Sequence, residues 1–317
     1  MKIGKTSIIE SYHRIKRLIM TPSIKQLKYI IAVAEHRHFG NAAAACHVTQ
    51  STLSAGIQDI EEILKVQVFE RTKKQVLITE KGQEIVLHAK RVLQEINGLI
   101  DATTSTSKPL CGKITLGVIP TVGPFLLPTV LAKLRKSFPE LKVFLRESQT
   151  SALLEDLTTG RIDAALLALP YPINDMTKVE LFDDLFQLAC PADHPLANRK
   201  QLKVQHLATQ PLLLLEEGHC LRQHALSACK LKGANYGVPY QCTSLSTLIQ
   251  MVANGIGVTL VPKMGVKSGL LAKTGLVSRS FNDKDVKRTI GMVWRPSSNK
   301  QSDLELLAEF IKKHAQK

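Results

Sequence analysis

The segment with the most chemistry in it is Leu215-Glu-Glu-Gly-His-Cys-Leu-Arg-Gln-His-Ala-Leu-Ser-Ala-Cys, residues 215–229. Gly218 breaks the apolar run before it, and a helix is predicted to begin between His219 and Leu221. Cys220 then stands at a helix N-terminus with His219 and Arg222 beside it. The positive end of the helix and nearby cationic donors both favour a thiolate over a thiol. A thiolate attacks a peroxide oxygen and becomes a sulfenic acid, which a second thiol can resolve. Cys229 is the candidate second thiol.

The spacing between the two gives that candidate its interest. On a continuous helix, residues nine apart have Cα atoms roughly 13 Å from each other, on nearly opposite faces. A disulfide needs Cα atoms within about 7 Å. The pair therefore closes only if the helix unwinds or is rebuilt, which would make the bond a conformational switch. In the chain-entropy model so short a loop gains on the order of 2–3 kcal/mol, so a reversible switch needs a remodelling cost of similar size. A buried, inert thiol is the ordinary state of a cytosolic cysteine. That is the reading for Cys46, Cys111, Cys190 and Cys242, and it stands as the alternative for Cys220 and Cys229. With no Cys-x-x-Cys pair and no tight Cys/His cluster, neither a metal site nor a cofactor is expected.

The elements that must position these residues alternate between strand and helix. Strands are predicted from Lys113 to Ile119, Leu141 to Leu145 and Asp163 to Ala168, with helices over 123–137 and 150–159 between them. The pattern continues through Leu212–Leu215, a helix near Leu221–Lys232, Gln250–Val261 and Thr289–Trp294, and ends in a helix from Ser302 to His314. This is βαβ logic, and it predicts a mostly parallel sheet. A region this long suggests two subdomains with a ligand-binding cleft between them: 109–184 with 287–317, and 185–286.

The first part of the chain reads differently. Leu27, Ile30, Ile31 and Ala34 keep the spacing of a buried helical face. Gly40 and a small, alanine-rich run to Cys46 follow. Thr49 can then cap a third helix with Leu53, Ile57, Ile60, Ile63 and Leu64 on one side. Two short helices, a tight turn and a third helix make a helix-turn-helix, and Val68–Thr79 reads as a hairpin wing with a basic tip. A long helix from Thr79 to Ala102 carries Ile85, Val86, Ala89, Val92, Leu93, Ile96 and Leu99 on one side, suited to pairing with a second copy. The divisions read as an extension (1–22), a winged head (23–80), a linker helix (81–108) and an effector domain (109–317).

Gln50, Ser51, Thr52 and Ser54 are short polar groups at the start of the third helix, where a major groove would be read. Arg71 and Lys73 in the wing, with Lys74, would reach phosphates or the minor groove. The alternative is that Gln50–Ser54 only cap and solvate a surface helix. The formal net charge of +15 adds little, because much of it lies outside the head. Lys2, Lys5, Arg14, Lys16, Arg17, Lys25 and Lys28 crowd the start, while residues 29–108 balance acids against bases. A 44% apolar composition and mean hydropathy of +0.01 fit a globular protein. No apolar run approaches the roughly 18 residues of a spanning helix, and the first residues lack a secretory pattern. Cytoplasm and no membrane are the expectation.

The stretch Leu27-Lys-Tyr-Ile-Ile-Ala-Val-Ala-Glu-His-Arg-His-Phe-Gly-Asn-Ala-Ala, with Thr49-Gln-Ser-Thr-Leu-Ser and Phe69-Glu-Arg-Thr, resembles the LysR-type transcriptional regulators. The resemblance implies a winged helix-turn-helix, a dimerising linker helix and a two-lobed, periplasmic-binding-like α/β effector domain, working as a homodimer or homotetramer on double-stranded promoter DNA. Gly218-His-Cys-Leu-Arg with Cys229 is similar to the peroxide-sensing members of that family. By that similarity Cys220 is the peroxidatic cysteine and Cys229 the resolving one, with cellular thiols as reductants. Thr121, in Ile119-Pro-Thr-Val-Gly-Pro, and Thr150, in Glu147-Ser-Gln-Thr, match positions that hold hydrogen peroxide, and His219 with Arg222 would help position or polarise it. Each threonine could instead be a helix N-cap. The competing functions are a regulator answering a small organic effector, with incidental cysteines, and a thiol peroxidase, which would have no use for a DNA-binding head.

Overall fold

A computed structural model describes residues 21–71, 76–104, 108–173, 175–230 and 242–315, and the chain divides into two compact units at Thr104. Most of the N-terminal extension and Lys73 with Lys74 lie outside the described residues.

In the first unit three helices, α1 (Ile24–His36), α2 (Phe39–Ala45) and α3 (Gln50–Leu64), are followed by a hairpin, β1 (Phe69–Arg71) with β2 (Val76–Ile78), and by the long α4 (Glu80–Thr104). Each start has a local chemical reason. Ser23 Oγ accepts from the Gln26 amide at 3.3 Å, while Gln26 Oε1 accepts from the Ser23 amide at 2.8 Å, a reciprocal cap on α1. His38 Nδ1 accepts from the Gly40 and Asn41 amides to start α2. Thr49 Oγ1 accepts from the Thr52 amide to start α3.

Ala42 and Ala43 are buried, so α2 packs closely on its neighbours. A Cβ on Gly56 would come within 2.8 Å of the Tyr29 ring, so α1 and α3 tolerate nothing larger there. Ile30, Val33, Leu53, Ile57, Ile60 and Phe69 form the core, each Ile or Leu stabilising the head by about 1.5–3 kcal/mol. Glu61 Oε1 accepts from the Val68 and Phe69 amides at 2.7 and 3.0 Å, which ties the base of the wing to α3.

The second unit is built on β3 (Gly112–Val118), α5 (Gly123–Ser137), β4 (Leu141–Glu147), α6 (Thr150–Thr158), β5 (Ala164–Leu169) and the 15-residue β6 (Thr177–Pro191). There follow β7 (Leu212–Leu213), α7 (Cys220–Ala228), α8 (Leu245–Ala253), β8 (Val258–Pro262), α9 (Lys263–Lys267), β9 (Leu276–Ser280), β10 (Lys287–Trp294) and α10 (Gln301–Ala315). The strand order is β4-β3-β5-β10-β6-β8-β7, with β9 also on β6.

The sheet is mixed, not mostly parallel as the strand–helix alternation suggested. β3 pairs in parallel with β4 and β5, and β7 with β8, but β10 is antiparallel to both β5 and β6, and β6 is antiparallel to β8 and β9. One strand is responsible for the shape. Residues 177–185 of β6 pair with β10, whereas Phe186–Pro191 pair with β8 and β9. β6 thus runs through two lobes with separate cores. The first core gathers Ile114, Leu116, Leu166, Ile290, Trp294 and Leu307, and the second gathers Phe186, Leu188, Leu213, Leu248, Val252 and Leu260.

Candidate functional site

α7 begins at Cys220, with His219 as the flanking N-cap residue in extended conformation, and ends at Ala228 with Cys229 as its C-cap. Gly218, at φ +95°, supplies the turn into it. A Cβ there would also meet the Gln149 side chain at 2.8 Å, so Gly218 is required twice over. That approach sets the start of α7 against the start of α6, where Thr150 is the first helical residue.

Cys220 is 6% exposed and belongs to the first lobe's core, yet it also lines a cavity of about 310 Å³. Tyr171, Glu217, Gly218, His219, Arg222 and Gln223 form most of the remaining wall. At roughly 30 Å³ per water this is room for about ten waters. Small oxidants can therefore reach a sulfur that is otherwise packed in apolar surroundings. Leu221, Ala225 and Cys229, on the same helix, belong to the other lobe's core. Burial pushes the Cys229 thiol up to about 12, with the charge of Asp283 acting in the same direction. Among the described residues no two of the six cysteines are joined in a disulfide, and burial also raises Cys46 and Cys190.

Neither threonine is an N-cap. Thr121 precedes Val122, the N-cap of α5, and Thr150 follows Gln149, the N-cap of α6. Both lie just beyond the C-terminal ends of parallel strands, the edge where open α/β sheets bind ligands. Thr150 is 1% exposed and its Oγ1 has no hydrogen-bond partner among the described residues. Thr121 is held by Arg288, whose Nη1 donates to Thr121 Oγ1 at 2.9 Å and whose Nη2 donates to the Thr121 carbonyl at 2.8 Å. The same fully buried guanidinium pairs with Asp184 Oδ2 at 3.0 Å, and Asp184 Oδ1 accepts from the Met264 amide.

His219 is buried, its Nε2 4.0 Å from the Glu216 carboxylate. Arg222 donates through Nη1 to the Leu215 carbonyl at 3.3 Å, so its guanidinium braces the segment leading into α7. Sequence reasoning missed Arg288 and Asp184, which stand 104 residues apart, and also His224, whose spacing from Cys220 is one helical turn.

In the first unit Gln50, Ser51 and Thr52 are exposed at the start of α3, and Ser54 is half-buried. The hydroxyls of Ser51 and Thr52 each share a hydrogen bond with Thr49 Oγ1, at 2.9 and 2.8 Å. Arg71 is the last residue of β1. Val92 and Leu99 are exposed on α4. Among the described residues no helix is long and apolar enough to cross a membrane, and no group of three His, Cys, Asp or Glu is placed to hold a metal.

A capped helix-turn-helix with a wing, joined to a two-lobed α/β domain, is the architecture of a ligand- or signal-responsive DNA-binding regulator. Residues 24–83 match the bacterial regulatory helix-turn-helix proteins of the lysR family, and residues 107–316 match the LysR substrate binding domain. The chain belongs to the LysR family. It is 40% identical over 294 residues to a hydrogen peroxide-inducible genes activator of Dickeya chrysanthemi, covering 93% of this chain and 96% of that one. It is 41% identical over 290 residues to the DNA-binding transcriptional dual regulator OxyR of Escherichia coli, covering 92% and 95%. Among solved structures, a full-length OxyR variant from Pseudomonas aeruginosa superposes with a TM-score of 0.72 at 34% identity, covering 92% of this chain and 98% of that one. A hydrogen-peroxide-bound OxyR mutant of Corynebacterium glutamicum gives 0.65 at 32% identity, covering 93% of each.

Proposed function

We propose that this protein is a peroxide-sensing transcription activator of the cytoplasm, in which a Cys220–Cys229 disulfide changes the packing of the two lobes. The observation that carries the reading is the placement of the thiols. Cys220 opens α7 beside a cavity, and Cys229 closes the same helix inside the other lobe's core.

Hydrogen peroxide enters beside Cys220, with the buried Thr150 hydroxyl, Thr121 and His219 around it. The Cys220 sulfur attacks one oxygen as its proton is removed; the O–O bond breaks, the departing oxygen takes up a proton and leaves as water, and a sulfenic acid remains. Cys229 then displaces water from that sulfur, forming the disulfide. A thiol titrating near 12 is protonated and a poor nucleophile at neutral pH. Local opening of α7 must therefore bring Cys229 out before it attacks, which couples the bond to refolding of the segment. Cellular thiols restore the reduced form.

Gln50, Ser51, Thr52 and Ser54 enter the major groove of promoter DNA, and Arg71 and Lys73 approach its backbone. The exposed Val92 and Leu99 of α4 support pairing of two chains, and two such pairs make the tetramer on DNA. The test is the Cys220→Ser variant in a promoter-reporter assay. Loss of the peroxide response with DNA binding retained supports the reading. A preserved response overturns it in favour of an organic effector in the cleft.

A further inference from the structure

His224 plays no part in the scheme above, yet it is buried one helical turn beyond Cys220 on α7, on the Cys220 side of the helix rather than the side of Leu221 and Ala225, which pack in the other lobe's core. Side chains lean toward a helix N-terminus, so residues four apart have Cβ atoms about 5–6 Å from each other. His224 is 8% exposed. Its Nε2 lies 2.9 Å from the carbonyl oxygen of Pro170, which can only accept, so Nε2 carries the ring proton. Nδ1 is then a bare acceptor, buried and without a hydrogen-bond partner among the described residues. Burial lowers the affinity of the ring for a second proton, and the charge of Arg288 adds to this, outweighing the bond to Pro170. A neutral imidazole with its tautomer fixed and its lone pair unsatisfied is an unusual thing to keep in a core.

We infer that His224 Nδ1 carries the proton of the Cys220 oxidation, a role that rests on the peroxide reading above. The thiol proton passes to Nδ1 as the sulfur attacks. The S–O bond forms while the O–O bond breaks; sulfur is oxidised by two electrons and the departing oxygen is reduced. That oxygen takes the proton back from Nδ1 and leaves as water, so the imidazole ends neutral. Thiol plus hydrogen peroxide gives sulfenic acid plus water, with nothing left over.

The test compares two reactions of Cys220 in the reduced full-length protein, oxidation by hydrogen peroxide and alkylation by iodoacetamide, in the wild type, His224→Gln and His224→Asn. Gln retains a donor for the Pro170 carbonyl, and Asn places an amide near the Nδ1 position; neither transfers a proton at neutral pH. Iodide leaves without a proton, whereas hydroxide does not. Loss of the carrier therefore slows oxidation by about a hundredfold and alkylation by a clearly smaller factor. An unchanged oxidation rate, or an equal slowing of both reactions, overturns the inference. If near-UV dichroism shows one variant misfolded, the other decides. The wild type gives an independent check: oxidation must show a normal solvent deuterium isotope effect, and its absence also overturns the role. Failure of wild-type Cys220 to oxidise at all removes the peroxide reading, and this inference with it.

Discussion

Cys220 and Cys229 stand at the two ends of α7, the one its first residue and the other its cap, and each is packed into a different hydrophobic core. The helix acts as a strut that keeps the sulfurs apart, roughly 13 Å between Cα atoms. Joining them dismantles the strut and withdraws Cys229 from its core. Leu221, buried on the same helix, alone contributes about 1.5–3 kcal/mol. A disulfide closing so short a loop contributes a similar amount, about 2–3 kcal/mol. For the proposed disulfide to be reset by cellular thiols the two states must lie within a few kcal/mol of each other, and these two contributions are of that size.

The high titration point of Cys229 sets the order of reactivity. At about pH 7.5 its thiolate fraction is about one in thirty thousand. In the reduced protein iodoacetamide is expected to label Cys220 first and Cys229 only after denaturant is added, as read by mass spectrometry of the peptides. Equal labelling of both in the folded protein would contradict the packing of Cys229.

Arg288 holds Thr121 in the first lobe and, through Asp184, the Met264 amide at the start of α9. Replacing it by Met leaves Asp184 charged and unpaired in the interior. Arg288→Met is expected to destabilise the effector domain by about 3–5 kcal/mol, since removing one partner of a buried pair strands the other. Chemical denaturation of the full chain measures this. A loss under about 1 kcal/mol would mean that Asp184 finds water or another donor.

The head separates folding from reading. Thr49→Ala removes the cap of α3 and is expected to cost about 1 kcal/mol of stability, measured as a shift in the denaturant midpoint. Gln50→Ala removes an exposed group that caps nothing, so it leaves stability within about 0.5 kcal/mol. It is expected to weaken promoter binding by about tenfold to a hundredfold, the range for one good base contact. Fluorescence anisotropy on promoter DNA checks the second effect.

The sequence made the local devices plain. The amphipathic runs of α1 and α3, the Thr49 cap and the Gly218 turn into Cys220 are short-range patterns, and each stands where it was expected. Strand direction was not legible in the same way, because alternation of strand and helix reports only crossovers. β6 and β10 pair antiparallel by contacts between residues about a hundred positions apart, as in Lys287 with Leu185. The Arg288–Asp184 pair was hidden for the same reason. His224 was within reach, at four residues from Cys220 on a helix already expected. His219 and Arg222 stand next to Cys220 in the sequence, whereas the one-turn spacing of His224 shows only once residues 220–228 are read as a helix. Arg222 in turn braces the Leu215 carbonyl, a contact that spacing alone did not indicate.

The most direct measurement is non-reducing peptide mapping after brief exposure to a small excess of hydrogen peroxide, with hydrogen exchange of the same sample over α7. The account predicts one new cross-linked species joining the Cys220 and Cys229 peptides, and faster exchange across residues 220–229. A sample in which both thiols remain free, or in which they are joined while α7 keeps its protection, would contradict it.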